Sequence, residues 1–180
     1  MRGVIFTILC DMLEEQHGLG FLNEVIAEAN LASGGIYTAG GNYPPEEVDD
    51  IVVLLAKKLD VPKEFILRNY GEYLLGALAK TFPHFFEVDN LKQFLLGVHS
   101  YIHVEVTKLY PDSNLPQFEY DDQAADKLIM HYHSERKMCH LAEGLIAGAA
   151  HYFNEECSLV QSTCMHRGDD HCTFDLVFYG

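Results

Sequence analysis

The sequence predicts an α+β fold, with a helical N-terminal subdomain followed by a C-terminal part that joins an antiparallel sheet to helices. Three observations carry this. Apolar residues recur at helical spacing from Ile5 to Leu109, strand-like segments begin only at Lys127, and no repeat, linker or low-complexity run divides the chain. Helices first and strands later read as α+β rather than as alternating βαβ units. A chain of 180 residues fits one domain, 1–180, with the helical part at about 1–60 and the α+β part at about 61–180.

Each element has its own signal. Ile5, Ile8, Leu9, Met12 and Leu13 mark a first helix that Gly18-Leu19-Gly20 ends, and a short second helix runs from Leu22 to Ala29. The glycine-rich stretch from Ser33 to Gly41 is a loop. Pro44-Pro45-Glu46-Glu47 opens a third helix with Leu54, Leu55 and Leu59 as its stripe. Asp60-Val61-Pro62 opens a fourth, with Phe65, Ile66, Tyr73, Leu74, Ala77 and Leu78 facing inward. Asp89 is placed to cap a long helix from Asn90 to Leu109, which Tyr110-Pro111 stops. Lys127–Ser134 reads as a strand and Met138–Phe153 as a small-residue helix. Two more strands, Glu156–Ser162 and Cys172–Phe178, flank a turn at Met165–Asp170.

Charge narrows the partners. Twelve basic against twenty-seven acidic residues leave a net charge of −15, which repels nucleic acid and anionic lipid. The N-terminus briefly imitates a signal peptide, but Asp11, Glu14 and Glu15 follow at once, and no apolar run is long enough to span a bilayer. The expectation is a cytoplasmic monomer that binds neither nucleic acid nor membrane. Its five cysteines are then reduced, and four of them (Cys139, Cys157, Cys164, Cys172) gather near the C-terminus, as a thiol or metal site would.

Two constellations could carry chemistry. His99 and His103 sit one turn apart on the predicted long helix. That spacing suits ordinary packed histidines, a two-histidine metal site or an axial haem ligand, and does not choose among them. In Tyr132-His133-Ser134-Glu135-Arg136, strand alternation would project a phenol, a hydroxyl and a guanidinium together. Such donors suit carboxylates or phosphates, and arginine grips them bidentately.

Tyr132-x-Ser134-x-Arg136 resembles the haem-propionate signature of H-NOX domains, the haem nitric oxide/oxygen-binding relatives of the soluble guanylate cyclase haem domain. The resemblance spans essentially the whole chain. Met1-Arg2-Gly3-x-Ile5 is similar to the family's first helix, Ile102-His103-Val104-Glu105-Val106 to Pro111 to its proximal-ligand helix, and Ala142–Ala150 to the helix after the signature. It implies one haem b buried between the two parts, held by His103, which lies seven positions before Tyr110, and by Tyr132, Ser134 and Arg136. Pro116 and Ile5 would pack on the porphyrin.

The family's oxygen binders place a tyrosine, with helpers, over the gas. Here the resemblance puts Leu141, Leu9 and Leu74 at those positions, with Ile5, Leu78 and Leu145 completing an apolar wall. It therefore implies a sensor of nitric oxide and CO with little affinity for dioxygen. Release of His103 from iron would signal to a histidine kinase or a cyclic-di-GMP enzyme, and the chain itself would catalyse nothing. A zinc-binding subset of the family resembles Cys139, Cys164 and Cys172. Its fourth ligand is a histidine where this chain has Gln161, leaving His166, His171 or Cys157 as substitutes. The rival readings are a haem-free small-molecule or thiol/zinc redox-sensing module, a zinc hydrolase and a purely structural subunit. No HExxH, phosphate loop or nucleophile elbow supports an enzyme.

Overall fold

A computed structural model describes residues 1–179. The order is α1 (Gly3–His17), α2 (Leu19–Glu28), α3 (Glu46–Leu59), α4 (Lys63–Thr81), α5 (Leu91–Gly97), a π-helical turn (Val98–Ile102), α6 (His103–Leu109), β1 (Gln117–Ala124), β2 (Lys127–His133), α7 (Cys139–Phe153), β3 (Glu156–Thr163) and β4 (Cys172–Tyr179). Short 3-10 turns occupy Pro83–Phe86 and Met165–Arg167. The strands form one antiparallel sheet in the order β1-β2-β4-β3. This is the α+β architecture expected. No helix among the described residues is long and apolar enough to cross a membrane.

Several details depart from the periodicity. Asn90, not Asp89, caps α5, its side chain accepting from Gln93 N at 2.9 Å. The long helix from Asn90 to Leu109 is broken: the His103 N–H donates to the Val98 carbonyl, five residues back, in a π turn. On α3 the buried stripe is Val48, Ile51, Val52 and Leu55, while Leu59 is exposed; on α4 Phe65 is exposed too. Both sit at helix ends, where the apolar face runs past its packing partner. Strand β1 has no strong signal of its own, since only Phe118 and Tyr120 alternate with acids. It exists because it pairs with β2 and because the Tyr120 hydroxyl donates to the Leu95 carbonyl at 2.9 Å. Its acidic Glu119, Asp121 and Asp122 keep that sheet edge from pairing further.

Two apolar cores result among the described residues. One gathers α1 to α4 around Phe6, Leu9, Leu13, Ile51, Leu55, Tyr70 and Leu74. The other lies between α5, α7 and the inner sheet face, where Leu128, Met130, Tyr132, Cys172, Phe174 and Leu176 point inward. Helix α4 serves both, giving Ile66, Leu67, Tyr70 and Leu74 to the first and Leu75 and Ala79 to the second.

The junction is the contact of α4 with α7, made backbone to backbone through glycine. A Cβ on Gly144 would lie 2.1 Å from the Arg68 carbonyl oxygen, and one on Gly71 2.4 Å from that of Leu141. Beside it, buried Glu143 accepts from Arg68 Nε at 2.6 Å and pairs with His140 at 2.9 Å. Those two partners outweigh the effect of burial and hold the carboxyl below its ordinary range. Gly144→Ala is expected to cost about 1–3 kcal/mol by forcing the helices apart. Gly76→Ala, on the same helix as Gly71 but with open space at its Cβ, should stabilise by about 0.5–1 kcal/mol. Urea unfolding of both variants checks the pair; equal effects would remove the close-contact argument.

Candidate functional site

The π turn puts one extra residue into the helix before His103 and so turns the face that α6 presents. No residue from Val98 to Leu109 is fully buried, although Val98 and Ile102 pack half-buried against the second core. His103 is half-buried, and its Nδ1 is a buried atom with no hydrogen-bond partner. Desolvation, with the neighbouring His99 and Arg136 charges, lowers its pKa to about 4; only the Pro116 backbone pulls the other way. The imidazole is therefore neutral at pH 7, as a metal ligand must be. His99 is exposed, its ring 6.3 Å from that of His103. Both border a 560 Å³ cleft with Val104, Asn114, Leu115 and Pro116.

Tyr132 sits near the end of β2, buried beside Phe118 and Phe174. Strand alternation does not carry on to Ser134 and Arg136, because β2 ends at His133. A turn brings them round instead: Lys137 N donates to the Ser134 carbonyl at 3.0 Å, and Lys137 itself takes a left-handed φ of 50°. Within it the Arg136 N–H donates to Ser134 Oγ at 3.3 Å. Burial pushes the Tyr132 phenol up to about 12, so it stays a proton donor. The Arg136 guanidinium donates to the Asn114 carbonyl. Among the described residues it has no carboxylate partner, although the chain carries twenty-seven acidic residues. Its charge is felt at His103, at Tyr132 and at the Met1 ammonium, which places these groups together. The 560 Å³ cleft reaches His103 and Pro116 but is not lined by Tyr132, Ser134 or Arg136.

Leu9, Leu74 and Leu141 are buried in one apolar cluster, with Ile5, Leu78 and Leu145 packed half-buried against it. These residues from α1, α4 and α7 thus meet as a set. Sequence reasoning missed Tyr70, the fully buried tyrosine of this region, whose hydroxyl donates to the Ile5 carbonyl. The four-residue step to Leu74 marks Tyr70 as core but cannot reveal where its hydroxyl goes. Asn114 was also missed, since a backbone acceptor leaves no trace in side-chain identity.

A haem fits these residues. A neutral histidine has a buried Nδ1 without a partner, an arginine near it lacks a carboxylate, and apolar side chains from α1, α4 and α7 meet in one cluster. Zinc fits less well. The sulfurs of Cys139, Cys164 and Cys172 lie within 4.8 Å of one another, all buried. A closed site needs a fourth ligand. Gln161 offers only an amide, whose Nε2 is buried without a partner, and His166 is exposed with Nε2 2.7 Å from the Lys137 carbonyl. His166 joins Cys139 and His140 rather than the three thiols. Among the described residues the donor set stops at three. Metal analysis of protein purified without chelator is expected to show the same zinc content in Cys164→Ser as in the parent; a full equivalent lost in the variant would reinstate the site.

Relatives of known structure share this fold. The model of the Haem-NO-binding family matches residues 2–161. A Shewanella oneidensis H-NOX protein in the Fe(II)NO state is 30% identical, with 100% of each chain covered and a TM-score of 0.94. The solution structure of an H-NOX domain from the same organism, in the Fe(II)CO state, is 30% identical over 100% of this chain and 99% of that one, with a TM-score of 0.91. The unliganded Fe(II) H-NOX protein of K. algicida is 29% identical over 100% and 97%, with a TM-score of 0.92. No curated protein sequence matches. From Met1-Arg2-Gly3 through Tyr132-x-Ser134-x-Arg136, the chain belongs to the haem-NO-binding, or H-NOX, family.

Proposed function

We propose that the chain is a cytoplasmic, monomeric haem-based sensor of nitric oxide and CO. The observation that carries this is a neutral His103 whose buried Nδ1 has no partner, near an Arg136 that has no carboxylate partner among the described residues. His103 would be the axial ligand. Tyr132, Ser134 and Arg136 would hold the propionates, and Pro116 would pack on the ring. No Cys-x-x-Cys-His attaches the group covalently, which fits haem b. When bound, ferrous haem supplies the open coordination position that a diatomic gas takes.

The distal residues choose among gases by what they withhold. Leu9, Leu74 and Leu141, with Ile5, Leu78 and Leu145, offer no donor, and the Tyr70 hydroxyl is committed to a backbone carbonyl. Dioxygen gains from a charge-assisted hydrogen bond, of order 1.5–3 kcal/mol, or roughly ten- to a hundredfold. Nitric oxide and CO gain far less. Release of His103 would set free α6, which has no buried residue to restrain it, and so signal to a histidine kinase or cyclic-di-GMP enzyme without catalysis by this chain.

Absorption spectra of the reduced full chain test the reading. A Soret band that shifts with nitric oxide and with CO, but not with air, is expected. Failure to take up haem on reconstitution would sink it.

A further inference from the structure

The outer face of the sheet, opposite the thiols and the haem-family residues, carries three histidines. His131 and His133 are two apart on β2, and His171 stands beside them just before β4, whose first residue Cys172 pairs with Tyr132. Alternation turns Tyr132 and Cys172 inward, so the histidines lie outside. The His171 ring is 5.2 Å from that of His131 and 5.0 Å from that of His133. From this juxtaposition we infer a binding site for a divalent transition-metal ion of the imidazole-preferring class on the outer sheet face, with His131, His133 and His171 as its protein ligands.

The surrounding bonds favour this assignment. His171 Nδ1 is 2.6 Å from Asp170 Oδ1, and His131 Nδ1 is 3.3 Å from Thr173 Oγ1, which is itself fixed by Thr163 at 2.8 Å. With a proton on Nδ1 of His131 and His171, their Nε2 lone pairs are left for a metal. A carboxylate behind the imidazole is a usual support of a metal-bound histidine, and at His131 the Thr173 hydroxyl stands in that place. His131 Nε2 lies 3.8 Å from Asp121 Oδ2, which adds a negative charge beside the cluster. As placed, the His133 ring stacks on that of His171 while the His131 ring stands edge-on to it, so binding requires the imidazoles to turn about their side-chain bonds until their nitrogens converge. His131 and His171 are about one-quarter exposed, which leaves that freedom. Imidazole donors of this kind suit zinc, copper or nickel. Net charge of −15 helps gather the cation.

The test is calorimetric titration of the haem-loaded full chain with Ni²⁺ alone. One equivalent should bind, and His133→Ala and His171→Ala should each weaken it at least tenfold. Asp170 is a positioning residue with a 90% exposed side chain, so Asp170→Asn should fold normally. It should keep the stoichiometry and lose about 10–100-fold in affinity. Circular dichroism confirms that each variant is folded. No saturable binding, or binding unchanged in the folded histidine variants, overturns the assignment. The haem reading is untouched by either result.

Discussion

His103→Gly is expected to reduce haem per chain at least tenfold, with added imidazole restoring both the haem and its spectrum. The residue begins α6, a segment with no buried side chain, so glycine there costs about 1 kcal/mol of helix propensity and leaves both cores intact. What is lost is, among the described residues, the only imidazole whose Nδ1 is buried and partnerless. His99→Gly is the control. That ring borders the same cleft but is exposed, and its removal should leave haem content and spectrum unchanged. Full haem loading in His103→Gly without imidazole would move the ligand elsewhere and overturn the reading.

The second large effect concerns gas choice. Leu141→Tyr should raise dioxygen affinity by roughly ten- to a hundredfold, the worth of one charge-assisted hydrogen bond. Leu141 shares its cluster with Leu9 and Leu74, and the Tyr70 hydroxyl there is already committed to the Ile5 carbonyl, so a phenol from α7 brings in a donor free to bind the gas. Overpacking should cost about 1–3 kcal/mol in stability, because the Leu141 carbonyl already abuts Gly71. Leu141→Phe separates the two effects: similar bulk, no hydroxyl and no gain in dioxygen binding. Oxygen equilibrium measured on both variants decides. If phenylalanine raised the affinity as much as tyrosine, pocket volume rather than hydrogen bonding would set selectivity.

Legibility differed by element. Helices α1, α4 and α7 were readable because each buries a stripe long enough to show its period. Strand β1 was not, because its stability comes from β2 and from one tyrosine bond to Leu95. The π turn was hidden as well, since Val98–Ile102 has no residue that forbids an α-helix. At the site, the residues of the propionate signature were legible as a motif. The way they converge was not: a turn beyond β2, rather than strand alternation, brings Ser134 and Arg136 round.

By itself, the sequence determined the fold class, the family signature and the absence of hydrogen-bond donors at Leu9, Leu74 and Leu141, because these depend on residue identity and local period. Only the tertiary structure decided which polar groups are already paired. Tyr70 is committed to Ile5, Glu143 to Arg68 and His140, His166 to Lys137 and Arg136 to the Asn114 carbonyl, while His103 Nδ1 has no partner. Pairing is a property of distance, and residues 65 or 75 positions apart meet only when the helices that carry them pack.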